Sequence, residues 1–168
     1  VQTEHAIVYY SQSHLNAEEV QQLKWDIEFR YWELQQFFNE DPVQWKGRAF
    51  EIFVYPNTEV QQRLMGSRRT LVARPWTHQM HIRWTFGSSV LAHEMAHLFT
   101  APFGRWPLHL ATIYNIIPNI GFVEGVAVAA DWPTESYSPD EISSVLLEEG
   151  MLPDLQNALT PWGFWKQP

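Results

Sequence analysis

Cysteine is absent from the 168 residues. Its absence removes disulfide frameworks, iron–sulfur clusters, thiolate zinc sites and thiol nucleophiles in one step. Any metal held by this chain is therefore held by His, Asp or Glu. Basic residues are few: 11 Lys plus Arg stand against 19 Asp plus Glu, a net charge of −8. So acidic a chain is a poor match for a phosphate backbone, and nucleic acid is excluded as the expected partner. No apolar, uncharged run reaches the ~18 residues of a membrane span. There is no basic-plus-apolar leader, no internal repeat and no low-complexity stretch. The chain opens on Val1 rather than Met, which reads as a processed protein or a domain excised from a longer parent. The composition fits an extracytoplasmic or membrane-tethered bacterial domain as well as a cytoplasmic fragment.

Aromatic residues are in excess. Nine Trp and 15% aromatics are expected to stiffen a small core, and 45% hydrophobic residues exclude wholesale disorder. The length matches one domain, 1–168. His5 to Tyr10 is apolar and β-rich, a first strand. Asn16 with Glu18 and Glu19 opens a helix. Val20, Leu23, Ile27, Tyr31, Leu34 and Phe38 then recur at helical spacing on one face. Trp25, Phe29 and Trp32 form a second stripe, read here as burial over a wide arc, with a docking face as the alternative. Ala49 to Tyr55 is a second strand, Thr58 to Met65 a short helix and Thr70 to Ala73 a further strand. His78 to Phe86 is the best strand, with Met80, Ile82 and Trp84 alternating with His81, Arg83 and Thr85. Ser88 or Ser89 can cap the helix that follows. Strands gather in the first half and helices in the second. The expected class is therefore α+β, a small mixed sheet packed on a mostly helical C-terminal half.

That helix reads Val90-Leu91-Ala92-His93-Glu94-Met95-Ala96-His97-Leu98-Phe99 and contains His-Glu-x-x-His. Residues four apart project from one face, so both imidazoles can reach one ion. Glu94 sits about 100° round from His93, outside easy ligand reach but able to contact a water on that ion. The bland alternative is a helix with two surface histidines. Leu91, Met95, Leu98 and Phe99 argue against it, because a helix buried on most sides leaves polar groups that need partners. Two histidines leave a tetrahedral ion short of one protein ligand. The candidates are His109, Glu124 and Asp131. Glu124 lies in a second apolar segment whose Gly125, Ala127, Ala129 and Ala130 are small enough for close helix packing. A buried carboxylate there needs a partner, and Glu124 as third ligand would complete two His, one Glu and a water.

His93-Glu94-x-x-His97 followed by Glu124-Gly125-x-Ala127 resembles the gluzincin zinc metallopeptidases, closest to their minimal, aminopeptidase-like catalytic domains of the peptidase MA-like type. The resemblance implies one zinc ion per chain on His93, His97 and Glu124, with Glu94 as general base. It implies that Asp131, two helical turns after Glu124, orients a ligand histidine through its second N–H. It also implies a mixed sheet before the motif helix, with an edge strand along the cleft. The strand His78–Phe86 is expected in that place, where an extended peptide or protein substrate would pair with it.

The implied activity is hydrolysis of internal peptide bonds. Zinc lowers the pKa of its water towards ~7 and Glu94 shuttles the proton to the leaving amine. A further donor should stabilise the oxyanion. Tyr137 is the first choice, with Tyr114, His109 and Arg83 as alternatives. Three departures stand out. The Gly-x-Met-x-Asn element of true aminopeptidases is missing, Val123 replaces the usual Asn or Ser, and little chain follows Glu124. The apolar insert Leu98–Ile120 reads as a substrate wall, a lid, a packed helix or a contact to other parts of the parent. The alternative function is a zinc-bound but inactive binding or regulatory module.

Overall fold

The computed structural model describes all residues except 69, 115, 132–136, 153, 156–158, 161, 162 and 164–168, together with the side chain at 139. The architecture is α+β. In the N-terminal half β1 (Ala6–Tyr10), α1 (Ala17–Phe38), α2 (Pro42–Lys46), β2 (Phe50–Val54), α3 (Thr58–Met65), β3 (Val72–Arg74) and β4 (Gln79–Ile82) follow one another. The second half holds α4 (Val90–Phe99), a 3₁₀ turn (Ala101–Phe103), the short hairpin β5 (Thr112–Ile113) and β6 (Ile117–Pro118), then α5 (Ile120–Asp131) and α6 (Pro139–Glu148). No described helix is long and apolar enough to cross a membrane.

The sheet has the order β1-β2-β4-β3. β1, β2 and β4 run parallel and β3 pairs antiparallel with β4. Alternate residues Ala6, Val8, Phe50, Ile52, Met80 and Ile82 turn one face into the core, as the period of two in a strand requires. Helices α1 and α4 supply the other layer. α1 begins at a capping box, in which Asn16 Oδ1 accepts from the Glu19 N–H and Glu19 accepts from the Asn16 N–H. It buries Leu23, Ile27, Tyr31 and Leu34. The spacing of those four is what packs it.

Two expectations are corrected. The stripe Trp25, Phe29 and Trp32 is not buried: these residues are 65%, 53% and 58% exposed. α1 is covered on one side only, so periodicity located the buried face correctly and aromatic content overstated its width. The strand expected over His78–Phe86 pairs only over Gln79–Ile82 and lies inside the sheet, between β2 and β3. The edge strands are β1 and β3, and β3 is the one along the cleft. Alternation reports which face a residue takes, whereas position within a sheet depends on pairing partners that periodicity does not encode.

Candidate metal centre

α4 is held under the sheet by Leu91, Met95, Ala96, Leu98 and Phe99, all at 0% exposure. Ser89 makes no side-chain cap. Instead Ser88 Oγ accepts from the Val90 N–H at 3.3 Å. The fixed helix carries His93 and His97 on one face, with ring centres 5.1 Å apart.

α5 packs on α4. Asn119 Oδ1 caps its first turn by accepting from the Phe122 N–H at 3.1 Å. Val123 and Ala127 are its buried residues, and Ala130 packs against the core. Gly125 and Ala129 face outwards. A side chain at Gly125 would meet nothing within 4 Å, so the close packing expected of all four small residues is done by two. This rotation of α5 brings Glu124 to the histidines. Glu124 Oε2 lies 3.4 Å from His93 Nε2 and Oε1 lies 3.8 Å from His97 Nε2.

The three ligand atoms lie within 4.8 Å of one another. Neighbouring ligands of a tetrahedral ion bound at ~2.0–2.1 Å stand about 3.3 Å apart, so this donor set fits a single small divalent ion after slight contraction. Two imidazoles and one carboxylate are a zinc-type set. The Nδ1 of His97 is buried and has no hydrogen-bond partner among the described residues, which leaves Nε2 as the nitrogen its setting presents.

The electrostatics follow from burial and from Glu124. The hydrogen bond to Glu124 raises the His93 pKa, against its burial and with help from the charges of Glu94, Glu124 and Asp131. Burial pushes His97 down to about 4, opposed by Glu124 and assisted by His93. Glu124 itself is lowered, first by the hydrogen bond with His93. Burial pushes Glu94 up to about 7; Glu124 adds to this, while His93 and the Ala73 backbone amide oppose it. Glu94, 7% exposed, thus sits between α4 and the edge strand β3.

Asp131 acts on His93 through its charge. The four donor candidates stand elsewhere. Tyr137 is 67% exposed and Tyr114 is 87% exposed. Arg83 donates to Gln61. The His109 ring sits against Trp45 at 5.0 Å, so His109 is no third ligand either. Sequence reasoning offered the insert Leu98–Ile120 as a substrate wall, and its Leu110 and Ile120 line the cleft, but it missed the opposite side, Leu71, Ala73 and Trp76. Glu94, His97 and Glu124 open into a cleft of about 430 Å³, walled by Leu71, Ala73, Trp76, Leu110, Ile120 and Val123. The available signal was Arg74-Pro75-Trp76-Thr77, a turn joining two short strands.

A second group, Glu4, His5 and Glu28, also clusters. There His5 Nδ1 is 2.6 Å from Glu28 Oε2 and its ring stacks on Tyr31, so Glu28 already serves it and a structural role accounts for the contact. Comparison of the chain with protein-family models, with curated proteins and with solved structures gives no match.

Proposed function

We propose that this chain is a zinc-dependent metallopeptidase of the gluzincin type, with His93, His97 and Glu124 as ligands, Glu94 as general base and Asp131 as the group that orients His93. The observation that carries the reading is the meeting of Glu124, from α5, with both motif histidines, beside a glutamate buried on the same helix. When bound, zinc supplies a positive centre that acidifies water and polarises a carbonyl.

The protein's own groups account for the rest. Glu94 is held near neutrality by burial, where one carboxylate both accepts and returns a proton most readily. It takes the proton of the attacking water and delivers it to the leaving amine. Among the described residues β3 has a strand partner on one side only, and its other side faces Glu94 through the Ala73 amide, a place that suits an extended peptide. The walls at Leu71, Trp76, Leu110 and Ile120 favour an apolar side chain next to the scissile bond, since they offer a charged one no counter-ion.

The test is metal content by mass spectrometry on protein purified without chelators, beside His97→Ala and Glu94→Gln. One zinc per chain, lost in His97→Ala and kept in Glu94→Gln, with peptide hydrolysis lost in both, is the expected result. A wild type without stoichiometric zinc after zinc is offered sinks the ligand set. One observation favours the second reading, a zinc-bound module without turnover: none of Tyr137, Tyr114, His109 and Arg83 reaches the cleft. Zinc present with no cleavage across a broad peptide library would select it.

A further inference from the structure

Between α4 and α5 the chain makes two consecutive turns back on itself. The first is closed by the Arg105 N–H on the Leu110 carbonyl at 3.0 Å and by the His109 N–H on the Arg105 carbonyl at 2.7 Å. The second is the β5–β6 hairpin. Neither is slack. Gly104 lies so close to the backbone of His109 and Leu110 that any side chain there would collide with it, so the first turn is pinned at its root.

Both turns put large apolar side chains into water. Trp106 is 83% exposed, Tyr114 87% and Ile116 82%, with Phe103 at 62% beside them. From Trp106 to Val123 there is no Asp, Glu, Lys or Arg, in a chain of net charge −8. The nearest charges along the chain are Arg105 before this stretch and Glu124 after it, and Glu124 is turned to His93 and His97. Arg105 is exposed next to Trp106. The Lys46 ammonium lies 4.7 Å over the ring of Trp45, which in turn rests on His109.

Charge decides what covers this surface. Uncharged apolar side chains exposed on two consecutive turns, with Arg105 and Lys46 near the base of the first, suit an anionic bilayer: Trp and Tyr settle at headgroup level, Ile enters the acyl boundary and the cations meet phosphates. A protein partner would more usually meet a flat or grooved patch rimmed by hydrogen-bonding groups, not side chains standing singly on two turns. The contrast within the molecule is the α1 stripe. Arg30 beside Phe29 is already paired with Asp26 and Glu33, and Lys24 beside Trp25 shares its pocket with Glu4 and Glu28, so phosphate approaching that stripe would meet carboxylates.

We propose that the Phe103–Ile117 segment docks this protein on an anionic lipid surface, with Trp106, Tyr114 and Ile116 in the interface and Arg105 and Lys46 on its phosphates. Leu110 and Ile120, at the roots of the same turns, wall the cleft. Docking therefore sets the cleft beside the membrane, within reach of segments that emerge from it. The docking itself does not depend on the cleft being catalytic.

The test is co-sedimentation of the full chain with phosphatidylcholine vesicles, with and without phosphatidylglycerol. The variants are Trp106→Ala combined with Ile116→Ser and, as a control, Trp25→Ala combined with Trp32→Ala. The expected result is binding that needs phosphatidylglycerol, weakens with salt, falls at least about tenfold in the first variant and is unchanged in the second. All four positions are exposed, and far-ultraviolet circular dichroism confirms folding. No vesicle binding, binding indifferent to anionic lipid, or loss confined to the α1 variant overturns the proposal. So does self-association in light scattering that the first variant abolishes while vesicle binding persists.

Discussion

Glu124 Oε2 stands 3.4 Å from His93 Nε2, a contact between two helices joined by the longest apolar insert of the chain. It ties the electrostatics of the site together, because the same hydrogen bond raises His93 and lowers Glu124. Replacing Glu124 by Gln removes the acceptor charge. In metal-free protein the His93 ring should then titrate at lower pH than in the wild type, read by NMR of its ring protons. Zinc affinity should fall by at least tenfold, since a charged ligand is lost. An unmoved His93 titration would contradict the contact.

Burial pushes the Glu94 carboxyl up to about 7 from its ordinary 4.5. Its ionisation therefore opposes folding above pH 4.5, increasingly up to about 7, and is neutral to folding below that window. Glu94→Gln should raise the melting temperature of the metal-free protein at pH 8 and leave it nearly unchanged at pH 4. If Glu94 is the base, the same variant should lower kcat by roughly 10²–10⁴ with zinc retained. A melting temperature that drops at pH 8 would show the carboxylate to be structurally required.

Acid should loosen the sheet. His78 and His81 are buried, and burial pushes each down to about 4 from 6.5. The folded protein refuses a proton that the unfolded chain accepts. Stability is thus intact above pH 6.5 and is lost as pH falls towards 4, by about 3 kcal/mol for His78 alone. Urea midpoints at pH 7, 5.5 and 4.5, taken with Glu94→Gln so that the opposite pH dependence of Glu94 does not offset the loss, measure this. His78→Gln should flatten the dependence, and a midpoint constant over that range would contradict the burial of both rings.

The two faces of α1 should differ sharply. Leu23→Ala and Ile27→Ala, at 0% exposure, should each cost about 2–5 kcal/mol in denaturant unfolding. Trp25→Ala and Trp32→Ala should change stability by no more than about 0.5 kcal/mol. Equal costs on both faces would mean that the aromatic stripe is covered after all.

At Gly104 the neighbouring backbone leaves no room for a side chain. Gly104→Ala should destabilise the protein, by roughly 1–3 kcal/mol, and displace the turn bearing Trp106. Thermal unfolding together with the emission wavelength of the exposed tryptophans would register both effects.

Much of the fold was legible because local rules governed it. The helix over Thr58–Met65 and the buried face of α1 follow from caps and from a period of 3.6, and the inward residues of β2 and β4 follow from a period of two. β3, at Val72–Arg74, is shifted by a residue or two from the expected strand, β4 is shorter than expected at both ends, and α2 and the β5–β6 hairpin had no counterpart in the sequence reading. The motif histidines were legible for the same reason, since residues four apart on a helix must share a face. Sequence suggested Glu124 through the anomaly of an acid in an apolar helix.

The amino-acid sequence by itself determined the α+β class, the shared helix face of His93 and His97, the restriction of any ligand set to His and carboxylates, and the exclusion of thiol chemistry. Only the tertiary structure decided that Glu124 rather than His109 meets the histidines, that β3 rather than β4 is the edge along the cleft, and that Trp25, Phe29 and Trp32 stay in solvent. It also decided that Tyr137 stands outside the cleft. The physical reason is the range of the forces involved. Periodicity and capping act within a few residues and are written into the chain. Strand order, helix rotation and the covering of a surface arise from packing between segments far apart in sequence, where the nearest neighbour is fixed by the whole core.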